Sequence, residues 1–76
     1  MIPRVRITAV RGTASATSLV HVVQHFTGLT LPEAQRVIER AAAGERVELE
    51  LDDEYAAYDF AALLTDLGAT AAVAED

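Results

Sequence analysis

From Arg4 to Val10 apolar and polar residues alternate, with Val5, Ile7 and Ala9 on one face and Arg4, Arg6 and Thr8 on the other. That period predicts a half-buried strand over 4–10. Gly12 opens a short loop, and Ser15 is placed to cap a helix. Over 16–27 the period becomes helical. Leu19, Val22, Val23 and Phe26 fall on one stripe, leaving Val20 off it beside His21 and Gln24. Gly28 is a natural left-handed stop. Thr30-Leu31-Pro32-Glu33 then reads as a capping box, with proline in the first turn where its missing N–H costs nothing. A helix over 31–43 follows, with Ala34, Val37, Ile38 and Ala41 inward and Glu33, Arg36, Glu39 and Arg40 toward water. Arg46 to Leu51 alternates without exception, which predicts a strand over 46–51. Asp52-Asp53-Glu54 puts acids where a helix N-terminus favours them. The helix they open covers 54–67, with Ala57, Phe60, Leu63, Leu64 and Leu67 as its core face. Gly68 ends it, and residues 69–74 form a last strand.

The order is β-α-α-β-α-β. Each helix has one apolar stripe, and the strands are apolar on one face only. The economical solution is an α+β domain of two layers, three helices on one face of a three-stranded sheet. The first strand inserts between the other two, antiparallel to both. Arg4 and Arg6 then lie opposite Glu48 and Glu50 on the wet face, a pairing that accounts for both strands without a ligand.

Composition narrows the function classes. A chain of 76 residues has room for one domain. It holds no cysteine, so disulfides, thiolate metal sites and cysteine nucleophiles are excluded. The net charge of −6 argues against nucleic-acid binding. The charge is uneven: residues 1–44 carry five arginines and two glutamates, whereas residues 45–76 carry one arginine and ten acids. An acidic half can steer a basic partner. No apolar run reaches the ~18–20 residues of a membrane span, and Met1-Ile2-Pro3-Arg4 leads into no signal-peptide pattern. The expected compartment is the cytoplasm.

Candidate chemistry is sparse. His21 and His25 are one helical turn apart but lack a third ligand. The run Glu45, Glu48, Glu50, Asp52, Asp53, Glu54 lacks the glycine and distal glutamate of a calcium loop. Ser15 and Ser18 lack a nucleophile-elbow setting, and no glycine pattern cradles a phosphate. We expect no catalysis, cofactor or metal. Tyr55 and Tyr58 open the third helix, and Tyr58 is either an interface anchor or a lid over the core edge.

The stretch Thr27-Gly28-Leu29-Thr30-Leu31-Pro32-Glu33-Ala34, followed by Val37-Ile38-Glu39, resembles the signature of the C-terminal domain of the bacterial ribosomal stalk protein. Leu67-Gly68-Ala69 with Val73 resembles that domain's closing segment. The resemblance covers roughly residues 4–74 and implies the same element order. It also implies a protein-binding role, since the stalk family recruits translational GTPases through its first two helices. Aligned through the T-G-L stretch, the family's basic docking positions fall on Ala16, His21, Gln24, Pro32 and Gln35, and its exposed apolar positions on Thr17 and Val20. The docking patch expected here is therefore Val20 as apolar centre, with His21 and Gln24, and with Arg36 and Arg40 supplying charge from the second helix.

The Clp protease adaptor family shares this scaffold and is similar in spacing through the two helices and the second strand, more closely than the stalk pattern near residues 44–54. Where it uses Asn-Asp-Asp to hold an α-amine, this chain has Val10-Arg11-Gly12. Three functions stay open: a translation-linked relative of the stalk, an adaptor delivering a protein or peptide to a larger machine, and a self-associating module pairing through residues 69–74. The partner is expected to be a protein, and the chain a monomer or weak homo-oligomer.

Overall fold

The computed structural model describes residues 2–12 and 14–74. The elements follow in the expected order: β1 (Arg4–Val10), α1 (Ala16–Thr27), α2 (Leu31–Ala42), β2 (Val47–Glu50), α3 (Glu54–Asp66) and β3 (Ala69–Ala74). The sheet order is β2-β1-β3, with β1 antiparallel to both neighbours. It is an α+β fold.

The chain turns where its local chemistry requires it. The Ser15 hydroxyl accepts from the Ser18 amide and opens α1, and the Asp53 carboxylate accepts from the Ala56 amide at 2.8 Å and opens α3. Val5, Ile7 and Val47 are buried on the helix-facing side of the sheet, with Phe60, Leu19, Leu64 and Val23 above them. Phe26 stacks on Phe60 with ring centroids 5.2 Å apart. No polar or charged side chain is buried among the described residues. On the open face Arg4 lies opposite Glu50, and Arg6 opposite Glu48, where guanidinium and carboxylate meet at 3.1 Å.

Several positions depart from the simple periodicity, each for a physical reason. Ala9, expected on the core face, is exposed. A register shift between Ile7 and Ala9 inserts an extra residue into β1. This bulge flips the alternation, so Ala9 pairs with Thr70 on the open face and Val10 pairs with Ala69 on the inner one. Leu63, expected in the core, is 42% exposed, and Ala61 is buried in its place. The inner stripe of α3 is Ala57, Phe60, Ala61 and Leu64, because the two alanines let the helix lie close to β3. Val20, expected to be exposed, is only 6% exposed. α1 packs against both α2 and α3, so its apolar face must serve two neighbours, and Val20 belongs to it. Leu67 is half-buried and, as the C-cap of α3, lies just beyond the helix. α2 likewise stops one residue early, at Ala42, with Ala43 as its C-cap. β2 is shorter than the alternation suggests, although Leu51 still donates its N–H to the Pro3 carbonyl at 2.9 Å.

Candidate docking cleft

The turn between α1 and α2 is set by the T-G-L stretch. The Thr27 hydroxyl donates to the Val23 carbonyl at 2.6 Å and accepts from the Leu29 amide at 3.2 Å. Gly28 adopts φ 73°, and its N–H donates to the Gln24 carbonyl at 2.9 Å. A left-handed residue here is natural for glycine and strained for others. The capping box then starts α2. Thr30 accepts from the Glu33 amide, while one Glu33 carboxylate oxygen accepts from the Thr30 amide at 3.0 Å and from its hydroxyl at 2.8 Å. These bonds hold the Glu33 carboxyl below the usual carboxylate range, with Arg36 adding to the effect. The motif that carries the family resemblance thus has a structural task, which is fixing how the two helices separate.

Between them lies an open cleft of about 410 Å³. Ala16 and Val20 of α1 and Ile38 of α2 give it an apolar lining, and Leu31, at the first position of α2, stands on its rim. Leu31 is 47% exposed. Thr17, His21, Gln35 and Glu39 complete the wall. Its one acidic side chain is Glu39. The cleft can accept one apolar side chain and offer hydrogen bonds and a negative charge around it.

The five residues expected to form the docking patch divide. Val20 and His21 line the cleft, but Val20 is part of its nearly buried floor rather than an exposed knob. Gln24, half-buried, stands one turn beyond Val20 on α1. Arg36 and Arg40 do not line the cleft. They follow a different face of α2 from Leu31, Gln35 and Ile38, since each is offset by roughly 100° or more from that row. Arg40 instead meets Glu45 at 3.4 Å in an exposed pair. The residues that the periodicity missed are Leu31, Ile38 and Glu39. Leu31 was concealed by its place inside a capping box, and Ile38 by its membership of the core stripe.

The other candidate groups are dispersed. No three histidine, aspartate or glutamate side chains converge as a metal site among the described residues. The ring of His25 meets Phe26 edge-on. Within the acidic run, Glu45 pairs with Arg40, Glu48 pairs with Arg6 and Asp53 caps α3. Tyr55 is 85% exposed. Tyr58 lines a second, shallower cleft of about 460 Å³ between α3 and β3. No described helix is long and apolar enough to cross a membrane.

No family model, curated protein or solved structure matches this chain.

Proposed function

We propose that the chain is a non-catalytic protein-binding module on the stalk-type scaffold, which docks a partner protein through its first two helices. The observation that carries this reading is the α1–α2 cleft, with half-exposed Leu31 on the rim above Val20 and Ile38. An apolar side chain of the partner seats there. A basic group beside it finds Glu39, consistent with a chain whose net charge is −6. The T-G-L-x-L-x-E-A stretch supports a translational GTPase as the partner. An adaptor role toward a Clp-type machine is the alternative, supported by the similar spacing of the two helices and second strand. The cytoplasm is the proposed compartment.

Leu31→Asp tests the cleft without disturbing the fold. Position 31 is the first residue of α2, where an acid suits the helix dipole. Binding of purified translational GTPases and of a Clp-type ATPase to the tagged chain, at low and moderate salt, should be lost or weakened at least ~tenfold in Leu31→Asp. A GTPase lost in the variant supports the stalk role, and the ATPase lost in the variant supports the adaptor. Binding unchanged in a folded Leu31→Asp protein rejects the cleft as the docking site.

A further inference from the structure

The sheet has two edges, and they differ in chemistry. Leu51 donates to the Pro3 carbonyl, which fixes the direction of the backbone groups of β1 as far as the bulge after Ile7. Before the bulge Val5 and Ile7 face β2, while Arg4 and Arg6 face β3. Their partners Ala74 and Ala72 therefore turn toward β1. Beyond the bulge the Arg11 amide donates to the Gly68 carbonyl at 2.9 Å, which keeps the even residues of β3 turned inward. The N–H and C=O groups of Ala69, Ala71 and Val73 consequently point away from the sheet. Among the described residues, Ala71 and Val73 make no backbone hydrogen bond outside the ladder.

On β2 the corresponding outward positions are Glu48 and Glu50. A second β2 laid against this edge would set carboxylates against carboxylates, which guards it. β3, Ala-Thr-Ala-Ala-Val-Ala, has no charge, no proline and no bulky side chain. It is also self-complementary. With a two-fold axis at Ala71, Ala69 pairs with Val73 of the copy, Thr70 with Ala72, and Ala71 with its own counterpart. The three pairs of odd-numbered residues each exchange two hydrogen bonds. On the helix side this register brings together only Ala69, Ala71 and Val73, and on the open side only Thr70 and Ala72. The shallow cleft between α3 and β3 opens beside this edge, lined by the small Ala61, Ala62 and Thr65 and by Tyr58 and Asp66.

We infer that the edge of β3 is a self-association surface, and that two copies pair antiparallel about Ala71 into a continuous six-stranded sheet, β2-β1-β3-β3-β1-β2. The two-fold pairing uses both unguarded edges, so assembly stops at two. Each copy carries −6. The copies repel through their like charge while the paired strands themselves carry none, so added salt strengthens the dimer. Docking at Glu39 has the opposite salt dependence, and it uses a different surface.

The test is sedimentation equilibrium of the purified chain from micromolar to millimolar concentration, at low and high salt. The mass should rise from 8.1 kDa to twice that value, and should do so at lower concentration in high salt. Ala71→Pro removes an N–H that the β1 ladder does not use, which an edge strand tolerates. It deletes two of the six intermolecular bonds and should weaken pairing at least ~tenfold. Thr70→Glu with Ala72→Glu gives β3 the kind of guard β2 has, and should hold the chain monomeric without using proline. Both proteins should keep the wild-type circular dichroism. A wild-type mass that stays at one copy throughout overturns the proposal. So does a mass beyond two copies, or dimerisation unchanged in the folded glutamate variant.

Discussion

Single positions show which side chains the fold depends on. Gly68 adopts φ 102°, and a Cβ built on it would sit 2.9 Å from the Ala14 Cβ. Gly44, at φ 90°, has open space around the same position. Alanine at Gly44 meets only the left-handed backbone cost of ~1–2 kcal/mol. Alanine at Gly68 adds a clash that the loop before α1 must relieve. Urea midpoints should therefore fall further for Gly68→Ala than for Gly44→Ala. Val20 makes a second case. As an exposed residue it would be a clean place for a charge, but at 6% exposure it is not. Val20→Asp puts an unpaired carboxylate into an apolar interior, at a cost of ~3 kcal/mol or more. Circular dichroism should show a large loss of folded protein, so lost binding in this variant would say nothing about docking. The contrast with Leu31→Asp separates the floor of the cleft from its rim.

At the scale of elements, the capping box ties α2 to pH. Bonds from Thr30 hold the Glu33 carboxyl below its ordinary range. A carboxyl depressed in the folded state contributes stability that is fully present above its unfolded pKa and is lost as pH falls through the folded value. Urea unfolding followed from pH 6 down to 3 should show wild type losing more stability than Glu33→Gln over that acid window, and the two running parallel above it. The elements also show how much the sequence makes legible. All six were readable because glycines, caps and periodicity agreed, as in Thr30-Leu31-Pro32-Glu33 and in Val47–Glu50. The central place of β1 was also expected, and it brings the arginines of β1 opposite the glutamates of β2. What periodicity could not show was the bulge that turns Ala9 outward, because an inserted residue depends on its partner strand. Nor could it show the width of the buried face of α1, because that depends on how many helices α1 touches. Of the docking patch, only Val20 and His21 were brought to the cleft, for the same reason: a concavity belongs to two helices and their separation.

For the whole molecule, stability rests on apolar packing, since no polar side chain is buried among the described residues. A chain of this size holds only about 4–11 kcal/mol in total. Phe60, fully buried and stacked on Phe26, joins α3 to α1. Phe60→Ala should cost ~3–5 kcal/mol. Its thermal unfolding should begin near room temperature or the protein should fail to fold, whereas Glu48→Gln, which breaks an exposed pair, should shift stability by less than ~1 kcal/mol. The place of β1 also has a temporal meaning. The strand at the middle of the sheet is the first in the chain, and β3, with which it pairs from Arg4↔Ala74 to Val10↔Ala69, is the last. The α1–α2 hairpin closes over a few residues, but this pairing must close a loop that encloses every other element, and such loops carry a high entropic cost. The helices therefore gather early and the sheet is completed late. During synthesis β1 waits without one of its partners until residues 69–74 emerge, and through that interval the edge of β1 that will meet β3 has no strand to pair with.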